Sequence, residues 1–360
     1  MGVKNHTKSK TQHKTQQGNF FEDFYPGMVL RHATPRTITS GDQALYTALY
    51  GSRFAFSSSD EFARSLGFDR APVDDFFAFH IVFGKTVSDI SLNAVANLGY
   101  AEGVFGVPLY PGDTVSTVSD VIGVKENSNG KTGVVYVRST GRNQHGEMVL
   151  QYVRWVMVRK RDVDAAAPVV VVPELSESVA AGSLSIPKEV NLTGYDFTLS
   201  GSTYRWGDYS VGERIAHVDG MTIEEAEHQM ATRLYQNTAK VHFNQHTESQ
   251  GRFGRRLIYG GHIISIARAL SFNGMENAFK VVAINGGAHV APTFAGDTIY
   301  AWSEVLDKIE LSECGDIGAL RIRLVATKNS NGENFPLKNS EEQYRENVVL
   351  DFDYTVLMPK

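Results

Sequence analysis

Two stretches of the chain carry the same landmarks about 185 residues apart, and a duplication of that length constrains the fold more than any other feature of the sequence. Leu49-Tyr50-Gly51-Ser52 corresponds to Leu234-Tyr235-Gln236-Asn237, and Pro26-Gly27 to Val211-Gly212. Phe76 matches Gly261, and Gly112-Asp113-Thr114 matches Gly296-Asp297-Thr298. The copies part where chemistry would sit: the segment that reaches Ser57 in the first reaches His242 in the second. The pattern predicts two units of one fold that have divided binding from catalysis, with catalysis in the second.

A chain of 360 residues is long enough for each unit to bury its own core. Apolar residues at 42% and charged residues at 21% exclude a fibre and wholesale disorder. The apolar run Pro168–Pro173 is far shorter than the ~20 residues that span a bilayer, so no membrane partner is expected. Cys314 is the single cysteine and no apolar leader is visible, which predicts a cytoplasmic protein without disulfides. Residues 1–18 hold four lysines and no acid and read as a solvated, disordered basic arm. Without those lysines the formal charge of −5 becomes about −9, the wrong sign for a nucleic-acid partner. Any phosphate site must be local, and Arg159-Lys160-Arg161 is one such cluster.

Each copy follows one plan: a short opening strand, a helical stretch, an apolar helix, then alternating strands. In the first, Gly41–Leu49 and Asp60–Leu66 read as helices, with Ser59 or Asp60 as N-cap and Gly67 as stop. Asp75–Thr86 is apolar all round and predicts a buried helix. Strands follow at Thr114–Val124, Thr132–Ser139 and Val149–Val158. The second copy repeats this with helices at Ile223–Tyr235 and Gly261–Phe272. Its strands are expected near Lys280–Asn285, Thr298–Asp307, Leu320–Thr327 and Val348–Leu357. Its last hairpin carries a polar loop, residues 328–342, expected to be mobile. The boundaries predicted are 19–161 for a degenerate, substrate-binding unit, 162–190 for a linker and 191–360 for a catalytic unit. One buried helix followed by an antiparallel meander, twice over, is an α+β double hot-dog: two curved sheets, each wrapped round a helix and joined edge to edge.

Arg233-Leu234-Tyr235-Gln236-Asn237-Thr238-Ala239-Lys240-Val241-His242, followed by Tyr259-Gly260-Gly261-His262-Ile263, resembles the hydratase segment of the MaoC-like enoyl-CoA hydratases. Asp60–Phe68 matches the sequence that follows the histidine in that family. The resemblance covers roughly residues 20–358. The stretches 71–87 and 125–136 look more specifically like the mesaconyl-CoA hydratases (2-methylfumaryl-CoA hydratases). It implies reversible, cofactor-free addition of water across the double bond of an unsaturated acyl-CoA, giving a β-methylmalyl-CoA in this subgroup. A homodimer is the assembly expected of such a chain.

Hydrating an unsaturated thioester needs a base for water at the β carbon, a proton for the α carbon, and donors for the enolate-like oxygen. The resemblance puts His242 in proton transfer. Asn237 stands where the family carries an acid; an amide takes no proton, but it can orient water. Either His242 manages the proton alone, or a carboxylate from elsewhere moves in, with Glu227, Asp74 and Asp75 as candidates. Gly260 and Gly261 open the second buried helix, where free N–H groups and the dipole suit an oxyanion. Asp75-Phe76 occupy that place in the first copy and would repel one. A dicarboxylic acyl group needs a cation, for which Arg255, Arg256 and Lys240 lie nearest in sequence and Arg53 sits in the matching segment of the first copy. Phe76, Phe77 and Phe79 are candidates for the acyl wall, with core packing as the alternative role. His242 and His246 have helical spacing but lack the Glu of a zincin motif, so no metal is expected. A thioesterase on the same fold and a non-catalytic acyl-CoA binder are the competing readings.

Overall fold

The computed structural model describes Thr15, residues 17–311 and residues 314–360. Most of the basic arm therefore lies outside the described residues. The first copy runs through β1 (Val29–Thr37), α1 (Ser40–Tyr50), α2 (Ala55–Ser58), α3 (Asp60–Ser65), α4 (Asp75–Thr86), β2 (Ala94–Phe105), β3 (Thr114–Glu126), β4 (Thr132–Arg142) and β5 (Met148–Arg159). After a short α5 (Phe197–Ser200), the second runs through β6 (Arg214–Thr222), α6 (Glu225–Leu234), α7 (Lys240–Phe243), α8 (Gln245–Glu248), α9 (Gly260–Leu270) and α10 (Phe272–Met275). It closes with β7 (Lys280–His289), β8 (Thr298–Glu310), β9 (Ile317–Lys328) and β10 (Val348–Pro359).

All ten strands form one antiparallel sheet in the order β1-β3-β4-β5-β2-β7-β10-β9-β8-β6. Each copy contributes five neighbouring strands, and the copies meet where β2 pairs with β7. The first five wrap α4 and the second five wrap α9, so both copies adopt the expected hot-dog plan. Local chemistry agrees with the long-range result. Ser59 caps α3 by accepting the Phe62 N–H at 3.2 Å, and Asp74 caps α4 by accepting the Phe76 N–H at 2.9 Å. Every residue of α4 from Phe76 to Thr86 is buried, because that helix is enclosed on every side.

The structure adds one strand that the sequence reading did not contain and corrects one expectation, the loose loop 328–342. The seam strand β2 escapes a reading based on alternation because Gly99 and Gly103 interrupt it and its pairing with β5 shifts register repeatedly. Those glycines serve close approach: a Cβ on Gly103 would come within 2.7 Å of the Ile284 Cβ across the seam. The loop 328–342 is anchored rather than loose. Phe335 and Leu337 pack on the buried cluster of Trp302, Val325 and Val348, and the Trp302 indole N–H donates to the Pro336 carbonyl at 3.2 Å. Residues 162–190 also lie against the body of the protein, with Val179 and Leu184 buried and the Val179 N–H held by Asn285 Oδ1 at 2.9 Å.

Candidate active site

A cavity of about 590 Å³ opens beside the β2–β7 seam and is walled by α7, α8, the start of α9 and the ends of β2, β5 and β7. His242, on the single turn of α7, faces it. The His242 Nδ1 lies 2.9 Å from the Leu257 carbonyl oxygen. A carbonyl can only accept, so Nδ1 carries the hydrogen and Nε2 is left with a free lone pair. Burial in the cavity wall lowers the His242 pKa to about 4, with the Leu257 bond offsetting part of the effect. The ring is therefore neutral near pH 7, and a base.

Asn237 follows the left-handed Gln236 and is 1% exposed. Its Oδ1 accepts the Ala239 N–H at 3.3 Å. That bond fixes the amide orientation, since the N–H needs an acceptor. The Nδ2 donor has no partner among the described residues and belongs to a side chain lining the cavity. Asn237 thus offers a donor, suited to hold an oxygen while its proton leaves for another group.

Gly260 lines the cavity, and Gly261 lies one residue deeper. Neither N–H has an intrahelical partner or a bond to another described backbone group. A Cβ on Gly260 would come within 2.5 Å of the His289 Nδ1. One on Gly261 would come within 2.5 Å of the Tyr259 ring and 2.6 Å of the His80 ring. Glycine at 260 therefore admits the His289 imidazole, which shares a 3.1 Å hydrogen bond with the Tyr100 hydroxyl. Burial, and then the nearby His242, lower the His289 pKa to about 4.

The model of one protein family, described as mesaconyl-CoA hydratase, matches residues 6–336. A β-methylmalyl-CoA dehydratase of Chloroflexus aurantiacus is 63% identical over 347 residues, 96% of this chain and 99% of its own length. A mesaconyl-CoA hydratase of Cereibacter sphaeroides is 60% identical over 96% of this chain and all of its own. The chain belongs to the mesaconyl-CoA hydratase family. A crystal structure of a putative MaoC domain protein dehydratase from Chloroflexus aurantiacus superposes with a TM-score of 0.95, at 63% identity, over 97% of this chain and 99% of that one.

Within this member of the family the repeat leaves a second, closed site. A crevice of only about 10 Å³ is lined by ten residues, and each lies 185 positions from a residue lining the large cavity, the same offset that separates Tyr50 from Tyr235. Ser57 stands for His242, Phe54 for Ala239, and Asp75 for Gly260. The space is filled by the Arg268 guanidinium, stacked 3.5 Å over the Phe54 ring. Asp75 is held by Lys280 Nζ at 2.7 Å and by the Val281 N–H at 2.9 Å. In the first copy the position equivalent to Gly260 is occupied by an ion pair.

The residues singled out as substrate contacts lie elsewhere. Arg255 is exposed and stacks over Phe294 at 4.0 Å. Arg256 pairs with Glu225 at 2.7 Å, Lys240 is exposed on the outer side of α7, and none of the three lines the cavity. Phe76 is fully buried between sheet residues Phe105, Phe352 and Tyr354, because its helix position points into the sheet. The alternative carboxylates are also absent from the wall: Asp74 caps α4, Asp75 pairs with Lys280 and Glu227 is exposed. Among the described residues Glu248 is the one acid lining the cavity. Sequence reading missed His289, Tyr100, Asn97 and Arg154, all of which line it. An arginine in the middle of the apolar strand β5, Arg154, was the visible signal.

Proposed function

We propose that the chain catalyses the reversible hydration of mesaconyl-CoA to β-methylmalyl-CoA, and the observation that carries this reading is the free Nε2 of a neutral His242 in the cavity wall. Water adds through its oxygen to the β carbon, and its proton passes to His242 Nε2. The same nitrogen then delivers a proton to the α carbon. One imidazole can serve both ends, so the missing acid at position 237 is not required. The Asn237 Nδ2 donor holds the water oxygen. The N–H groups that open α9 at Gly260 and Gly261 stabilise the negative charge that builds on the thioester oxygen. This sequence of steps needs no cofactor and no metal.

Arg159 and Arg252, both exposed and both at the cavity wall, suit the phosphates of the CoA moiety. No helix among the described residues is long and apolar enough to cross a membrane. We propose a cytoplasmic homodimer, for which the four exposed valines Val169–Val172 supply an apolar strip to cover. Light scattering on the purified chain tests the assembly.

The function is tested by incubating the protein with mesaconyl-CoA and following both the unsaturated thioester absorbance and free thiol. Loss of absorbance without thiol is the expected result. Stoichiometric thiol release would make the chain a thioesterase, and no change in either would make it an acyl-CoA binder. Faster turnover of crotonyl-CoA than mesaconyl-CoA would remove the dicarboxylic substrate and leave the hydratase chemistry.

A further inference from the structure

Arg154 sits in the middle of β5 with no exposed surface, among residues that wall the cavity shared with His242. A guanidinium cannot shed its charge in a protein, so burial without an anion is costly unless something compensates. Among the other buried cations, Lys280 meets Asp75 at 2.7 Å and Lys160 meets Glu126 at 3.3 Å, whereas Arg268 and Lys85 donate to neutral oxygens of Ser271, Ala278 and Gln236. Arg154 meets no carboxylate among the described residues. Its Nη2 donates to Thr86 Oγ1 at 2.9 Å and Ser91 Oγ at 3.1 Å. Its Nη1 reaches Asn97 Oδ1 only at 3.4 Å, and the group stacks over Phe83 at 4.3 Å.

Two donors remain without partners there. Arg154 Nε and Asn97 Nδ2 are both buried with no hydrogen bond, and both residues belong to the cavity wall. Two neighbouring unsatisfied donors, one on a charged group, are the complement of a carboxylate with two oxygens. The site is also near the chemistry. Arg154 pairs with Tyr100 in the β2–β5 ladder, and the Tyr100 hydroxyl bonds to His289 beside Gly260. The repeat makes the feature singular: the seventh residue of β5 is Arg154, while the seventh of β10 is Tyr354.

We propose that Arg154, with Asn97, binds the free carboxylate of the acyl group and is the residue by which this site selects a dicarboxylic acyl thioester over a monocarboxylic one. The inference rests on the proposed reading of the cavity as an acyl-CoA site. It also gives the degenerate first copy a role, since that copy supplies the cation and the second copy supplies the base. In mesaconyl-CoA that carboxylate is attached to the β carbon, so its anchor also fixes which carbon faces the water.

Binding of two unreactive, nearly isosteric thioesters tests this without requiring turnover. Succinyl-CoA carries the distal carboxylate and butyryl-CoA carries a methyl group in its place. Calorimetry on the full chain is expected to give a preference for succinyl-CoA of about tenfold to a hundredfold. Arg154→Gln should abolish most of that preference, chiefly by weakening succinyl-CoA, and Asn97→Ala should reduce it less. Should Arg154→Gln fail to fold, as judged by circular dichroism, the Asn97→Ala ratio decides. A wild type without preference, or variants that lose both ligands equally, would overturn the assignment. Failure of the hydratase reading is seen separately, as wild-type protein that binds succinyl-CoA but leaves mesaconyl-CoA unchanged.

Discussion

The Tyr50 and Tyr235 hydroxyls lie 2.6 Å apart, and the two residues are repeat equivalents separated by 185 positions. His80 and Ser265 stand in the same relation and bond at 2.8 Å. A residue can meet its own equivalent only on the axis that relates the two copies, so these pairs mark that axis between α1, α4, α6 and α9. The first pair has kept its chemistry and the second has diverged. Symmetry survives at the centre, where helices must pack, and is lost on either side, at the two helix starts.

Tyr50 also bonds His262 Nδ1 at 2.8 Å, so Tyr50→Phe strands two buried polar groups at once. The expected cost is about 1–3 kcal/mol, read as a lower urea midpoint with an unchanged slope. An unchanged midpoint would mean that the axis pair contributes nothing to stability.

His242→Ala should lower kcat by about a hundredfold to ten-thousandfold while leaving the thermal unfolding midpoint close to wild type. Because the His242 pKa is lowered to about 4, the base stays unprotonated well below the ordinary imidazole range. On the acid side kcat/KM should remain flat until the pH approaches that value. An inflection near 6.5 would show that the base is a different or a solvated group.

Much of this arrangement was legible in the sequence because it is local. Asn237, His242, Gly260 and Gly261 sit on one short run of chain, and the buried helix Asp75–Thr86 announces itself by composition. Arg154, Asn97, Tyr100 and His289 arrive from three strands that meet only at the seam, and no spacing in the sequence brings them together. Arg255 and Arg256 show the reverse error. They are near Gly260 along the chain, yet one stacks on Phe294 and the other pairs with Glu225. Proximity in sequence says little about direction in a loop.

The fold should lose stability in acid. His80, His217, His228 and His262 are buried, and burial lowers all four pKa values, to about 4 for His217 and about 3 for His262. The unfolded chain binds protons on these groups from about pH 6.5 downward and the folded chain does not. Stability is therefore full above that pH and falls progressively as pH drops toward the folded values. Asp74, raised from 3.8 to about 6 by burial, acts in the opposite sense between those two values, but it is one group against these four and the two cavity histidines His242 and His289, both lowered to about 4. Thermal unfolding midpoints that fall from about pH 7 to about pH 4 are expected, and a constant midpoint would contradict it.

Gly260→Ala places a methyl group where the His289 ring now rests. Activity should fall by up to about a thousandfold, because alanine keeps its N–H but the clash with His289 moves that donor away from the oxygen it serves. His289→Ala removes the obstructing ring, so the double variant should lose less activity than the two single effects combined. Additive losses would show that Gly260 and His289 act independently.

Restoring a histidine to the first copy should not create a second active site. Ser57→His supplies the side chain but not the space, since the equivalent crevice holds about 10 Å³ against about 590 Å³ and Arg268 stacked on Phe54 occupies it. The Asp75–Lys280 pair also stands where the helix start would need to receive an oxyanion. Calorimetry with succinyl-CoA should give one site per chain in the wild type and in Ser57→His alike. The double variant Ser57→His, His242→Ala should be as inactive as His242→Ala alone. Two sites per chain, or recovered turnover, would mean that closure of the first copy depends on Ser57 rather than on the arginine and the ion pair that fill it.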